Sequence, residues 1–239
     1  MIVEICIDSL QGLRAAQAAG AQRVELCAGL IEGGTTPSIG LIESVVAASA
    51  GVRVHVLIRP RGGDFAYDPD ERVVMRRDVS AAVAAGAHGI VIGALTPAGA
   101  VDRPCVQELI EAAAGRPVTF HRAFDHTRDP AAALETLIEL GVSRVLTSGQ
   151  QATAADGAEL IGALHRQAAG RIVILAGGGI SRQNVRTVVA AGVFELHFSA
   201  RVPAEVEITG TGPIAFGTPM RTSRRRIAEI VAAAAIDPR

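Results

Sequence analysis

Strand-like and helix-like runs alternate along the whole chain, and this alternation constrains the fold more than any other feature. Short β-branched and aliphatic runs read as strands near 2–6, 22–27, 53–59, 89–93, 117–122, 143–147, 171–176 and 194–199. Ala-rich runs with helical spacing follow each of them, near 9–19, 38–50, 69–85, 103–114, 130–140, 153–169, 181–191 and 222–235. A strand followed by a helix, repeated, demands parallel strands with helices packed outside. The 239 residues are close to the ~250 of a (β/α)8 barrel. The sequence therefore predicts an α/β fold, a single (β/α)8 TIM barrel over 1–239. A doubly wound open sheet is the alternative, but no helix is left over to cover one. Gly20, Gly86, Gly141 and Gly192 precede every second strand, as helix-ending glycines do. An irregular Gly, Thr and Pro-rich segment, 201–219, lies before the last helix.

Side chains alternate along a strand. That rule points Glu4, Cys6, Glu25 and Cys27 inward, with His55, Leu57 and Arg59 on strand three and Thr119 and His121 on strand five. It points Val145 and Thr147 inward on strand six, and Glu195, His197 and Ser199 on strand eight. Barrel interiors are usually filled with Val, Ile and Leu. Buried unpaired charges cost several kcal/mol, so this polar set must pair internally or meet a ligand at the C-terminal mouth.

All 23 basic residues are Arg, and Lys is absent. No imine can form on a side-chain amine, which excludes Schiff-base aldolases and pyridoxal phosphate enzymes. The net charge of −1 gives no electrostatic case for nucleic acid or an anionic membrane. No apolar run reaches the ~18 residues of a membrane span. The N-terminus lacks a basic stretch and starts as a strand, so no signal peptide is expected. Cys6, Cys27 and Cys105 read as reduced thiols of a cytoplasmic protein.

Four groupings carry chemistry. Arg59-Pro60-Arg61-Gly62-Gly63-Asp64 is a cationic loop suited to an anion, with Glu4 and Glu25 as alternative partners of its arginines. Gly177, Gly178 and Gly179, with His197 and Ser199 on the next strand, lie where barrels often bind phosphate, and Ser181 can cap the following helix. His121, Asp125 and Glu25 can move protons, or the first two can ligate a metal. Cys6 and Cys27 end adjacent strands at matching positions, where two sulfurs can share one soft ion or simply fill space.

Glu4-Ile5-Cys6, Arg23-Val24-Glu25-Leu26-Cys27, Gly33-Gly34-Thr35-Thr36-Pro37-Ser38 and Arg59 to Phe65 form a specific set. Thr119 to Asp125, Leu146-Thr147-Ser148-Gly149, Gly177 to Gly179 and His197 to Arg201 complete it. Together they resemble the copper homeostasis protein CutC family. The resemblance implies a cytoplasmic barrel protein linked to copper, with Cu(I) held by Cys6 and Cys27. A second function class stays open, an enzyme acting without Lys on a small anionic or phosphorylated substrate. There Arg59, Arg61, Asp64 and the glycine turn would hold the anion, and His121, Asp125 and Glu25 would move protons. Its partners are then a copper ion or a small anionic ligand, and the exposed helices leave room for a homo-oligomer.

Overall fold

The computed structural model of the chain describes residues 1–205 and 218–235. Eight parallel strands close into a barrel in sequence order. They are β1 (Ile2–Ile7), β2 (Arg23–Leu26), β3 (Arg53–Leu57), β4 (Gly89–Ile92), β5 (Val118–Phe120), β6 (Arg144–Thr147), β7 (Val173–Gly177) and β8 (Glu195–Phe198). The helices between and after them are α1 (Leu10–Ala18), α2 (Ile39–Ala47), α3 (Pro69–Ala84) and α4 (Arg103–Ala112). The ring continues with α5 (Pro130–Glu139), α6 (Ala158–Ala168), α7 (Val185–Ala190) and α8 (Arg224–Ala234). Strand β8 returns to β1, Glu4 standing opposite His197, so the first and last strands form the closing seam.

Local chemistry explains where the helices start. Ser9, Ser38, Asp102, Asp129 and Ser223 each accept a backbone N–H from the first turn of the following helix. Asp68 and Glu71 complete a reciprocal capping box on α3, whose first residue is Pro69. The four glycines before alternate strands all take positive φ, which only a residue without Cβ adopts freely. The Ser181 expectation is corrected: α7 begins three residues later, with Asn184 at the N-cap position and no side-chain capping hydrogen bond. Asn184 accepts from Ser181 N–H and donates to the Gly179 carbonyl, so its amide spans the turn itself.

The apolar core lies between barrel and helices. Ile5, Ile7, Val24, Leu26, Val54, Val56, Ile90, Ile92 and Phe120 are fully buried there. Inside the barrel the side chains are polar. Near its base Arg23 bridges Glu4 and Glu195, and Arg144 lies 3.4 Å from Glu195. The buried His55 ring stands where any Cβ on Gly89 would be, 2.6 Å from Nε2, so β4 makes room for it. Strand β6 has the opposite parity to the expectation. Arg144 and Leu146 face the interior, while Val145 packs among the helices. Two apolar neighbours, Val145 and Leu146, hide the alternation, and Thr147 is a misleading polar marker because its hydroxyl serves a loop carboxylate.

The segment expected to be irregular, 201–219, begins with a strand and is followed at once by another. Strand β9 (Arg201–Pro203) pairs antiparallel with β10 (Met220–Thr222). Thr222 is buried, and its hydroxyl would lie 3.0 Å from a Cβ on Gly12 of α1. Residues 206–217, the rest of that segment, fall outside the described residues.

Candidate functional site

A cavity of about 320 Å³ opens at the C-terminal end of the strands. Its floor and walls come from β1, β2, β3, β6 and β8 and from the loops after β2, β3 and β5. This is the face on which barrel ligands bind.

One wall holds sulfur. Cys6 Sγ and Cys27 Sγ are 3.6 Å apart, and Cys27 Sγ is 3.3 Å from Glu25 Oε2. The strands are staggered, so the two cysteines do not occupy matching positions: Cys6 stands opposite Glu25, and Ile7 opposite Leu26. The thiols converge diagonally because both point inward. Their separation far exceeds the ~2.05 Å of a disulfide, and both are free. The hydrogen bond from Cys27 pulls the Cys6 thiol down to about 6 against the effect of burial, and His197 adds to it. Burial pushes Cys27 well up, and the neighbouring Cys6 and Glu25 reinforce this. One thiolate and one thiol are the result.

His197 organises this wall from below. Its Nδ1 is 2.7 Å from Glu4 Oε1 and its Nε2 is 3.7 Å from Glu25 Oε2. Burial disfavours the imidazolium, but Glu25, Cys6 and Glu4 hold its pKa well above the usual value. Burial likewise opposes ionisation of Glu4, yet His197 and Arg23 keep it a carboxylate far below the usual range. The line Glu195–Arg23–Glu4–His197 thus alternates in sign and ends beside the thiols.

Cys6, Glu25 and Cys27 each offer a ligand atom, all within 4.8 Å of one another. Metal–thiolate bonds of ~2.3 Å allow one ion to span sulfurs up to ~4.6 Å apart. Thiolates favour soft ions, Cu(I) among them, so the donor set fits that ion.

The opposite wall holds nitrogen. Arg59 is buried, and its Nη atoms donate to the carbonyls of Glu32, Gly34 and Gly63, each at 2.8 Å. Its guanidinium lies 5.0 Å from the centre of the Phe65 ring. His121 Nδ1 accepts the Ala123 N–H at 3.0 Å, which leaves the ring proton on Nε2. Burial, then the charge of Arg59, lowers the His121 pKa to about 3, so the ring is neutral. Phe65 packs at a tilt against His121 and His126, with centroids 5.1 and 5.4 Å away. His126 is a loop residue, as its position in sequence indicates, but it lines the cavity as well.

The remaining sequence-predicted residues are placed as follows. Arg61 is held by Glu71 and Asp64 and lies over Tyr67, so only Arg59 of the two arginines borders the cavity. Asp125 accepts from Thr147, from the N–H groups of Ser148 and Gln150, and from Arg122, so its oxygens are committed to the loops. Gly177 is packed against Leu146 and His197, where a Cβ would come within 2.6 Å of Leu146 Cδ1. Gly178, Gly179, His197 and Ser199 border a neighbouring depression of about 300 Å³ that shares Cys6 with the main cavity. Glu32, Phe65, Arg122, His126 and Leu146 are among the lining residues that sequence reasoning did not single out as site residues.

Fold and site together define a (β/α)8-barrel protein with a buried thiol pair and a polar cavity at the C-terminal mouth. The model of the CutC family matches residues 1–202. A family protein CutC of Bacteroides thetaiotaomicron is 53% identical over 83% of this chain and 80% of its own. The human copper homeostasis protein cutC homolog is 49% identical over 84% of this chain and 73% of its own. A solved CutC structure from Streptococcus agalactiae superposes with a TM-score of 0.78 at 34% identity, covering 82% of this chain and 97% of that one. The chain belongs to the CutC family.

Proposed function

We propose that the protein binds Cu(I) between Cys6 and Cys27 as part of copper homeostasis, in a reducing, cytoplasmic setting that keeps both thiols free. The approach of the two sulfurs to 3.6 Å, beside Glu25, carries this reading. Copper is the cargo, and the chain supplies the grip. Cys6 offers a thiolate already, and Cys27 loses its proton when the ion arrives. His197, fixed by Glu4, sets the charge beside the sulfurs without being consumed.

The experiment is an anaerobic Cu(I) titration against a colorimetric chelator. Cys6→Ser and Cys27→Ser each weaken binding by more than the roughly ten- to hundredfold expected of a supporting residue such as Glu4→Gln. A Cys6→Ser, Cys27→Ser double variant with unchanged affinity sinks the assignment.

A further inference from the structure

Cys6 borders the cavity at the mouth, whereas Cys27 is 1% exposed and lies under the loop that follows β2. The backbones of Ala28 and Thr35 pair at the stem of this loop. Gly34 lies against the thiol: a Cβ there would stand 3.7 Å from Cys27 Sγ and 2.8 Å from Leu57 Cδ2, and its φ of +98° also asks for glycine. Leu30 of the same loop packs on the cluster of Cys6, Cys27, Leu57 and Val91. Little else holds the loop down. Ile31 at its tip is 92% exposed. Among the described residues, the backbone hydrogen bonds of Gly29 to Gly34 stay inside the loop, with Arg59 as the one partner from outside it. Arg59 Nη1 donates to the carbonyls of Glu32 and Gly34, and Nη2 to that of Gly63 in the loop after β3, each at 2.8 Å. The Arg59 main chain exchanges two further bonds with Thr36, just beyond the stem.

We propose that Arg59 is a positioning residue for the thiol pair: its guanidinium pins the loop over Cys27 and keeps that sulfur sealed on the loop side. A charged donor makes the stronger class of hydrogen bond, and the planar fork lets one side chain hold carbonyls of two loops at once. Arg59 is itself 6% exposed, so water competes little for these bonds. Arg59→Met keeps an unbranched side chain and removes every donor. Three carbonyls then lack a partner, and the loop opens to let water reach them. For copper, where the role rests on the reading above, a pinned loop slows exchange without adding a ligand.

The test uses the full chain, reduced and stripped of metal by a chelator. It is treated with N-ethylmaleimide, and peptide mass mapping follows each cysteine. Cys6 is labelled first, at the mouth, and its adduct plugs that route. In Arg59→Met, Cys27 is labelled at least about tenfold faster than in wild type. Cys105, buried in the core between barrel and helices, keeps its wild-type rate. An unchanged Cys27 rate overturns the proposal. A variant that exposes Cys105 equally has lost stability at large, and the wild type then decides. In low urea a local opening labels wild-type Cys27 at least about tenfold faster than Cys105; equal rates for the two overturn the proposal. Loaded with Cu(I), Arg59→Met yields the metal to a thiol chelator about tenfold faster. Its affinity changes by less than the roughly tenfold of a lost supporting residue, and release at the wild-type rate overturns the role in transfer. The labelling involves no copper, so its failure is separate from failure of the copper reading.

Discussion

Two histidines show how burial sets a residue's chemistry. Burial lowers both His55 and His121 from 6.5 to about 3, so each is neutral in the folded chain at neutral pH. The unfolded chain takes up protons near 6.5 that the folded chain refuses until about 3. Stability is therefore full above 6.5 and falls as pH drops through that window. Each ring adds a slope of up to about 1.4 kcal/mol per pH unit. Urea unfolding between pH 4 and pH 7 shows a shallower slope for His121→Phe than for wild type; identical slopes refute the buried neutral ring. The cysteines respond to pH in the same sense toward copper. The metal displaces the proton that Cys27 retains, so Cu(I) affinity rises with pH by about tenfold per unit above the Cys6 value of about 6. Chelator competition at several pH values measures this, and a flat profile excludes a dithiolate.

The loops after β5 and β6 are joined by one carboxylate. Asp125 collects a hydroxyl, two backbone N–H groups and Arg122, with its own side chain only 6% exposed. Asp125→Ala leaves those donors unsatisfied and costs about 3 kcal/mol, read by chemical denaturation; a loss below about 0.5 kcal/mol, the size of an ordinary surface change, contradicts the role. Sequence spacing offers Asp125 as a partner of His121, and nothing in the spacing reveals that the loop after β6 claims it. Other parts were legible because they depend on period alone. The Arg-x-Glu-x-Cys alternation of β2 already turns Arg23 inward beside Glu25 and Cys27, and its partner Glu195 has the same parity on β8. Phe65 and His126 were illegible as lining residues, since loop side chains reach the cavity by paths that no periodicity records. On β6, adjacent Val145 and Leu146 carry no polar contrast, and the parity is lost with it.

For the whole molecule, the polar interior is concentrated where the chain closes on itself. Glu195 and His197 belong to the last barrel strand, Glu4 to the first and Arg23 to the second, so the ion line crosses the seam. Arg23→Met strips two buried carboxylates of their cation and costs about 3–5 kcal/mol. Replacing the whole linked set, Glu4, Arg23, Arg144, Glu195 and His197, by apolar residues costs less than the single change, because no charge of that line is left stranded. Thermal and urea unfolding of both variants checks this, and the reverse order contradicts it. The sulfur wall has a consequence of a different kind. Cys6 borders both depressions at the mouth, whereas Cys27 borders neither. The two sulfurs stand in single file behind one opening. A cargo bound between them meets Cys6 on arrival, and a competing thiol from outside must trade places with Cys6 before Cys27 lets go. Under the copper-binding proposal, loading and release therefore follow a fixed sequence of partners, with the deeper sulfur as the last to part.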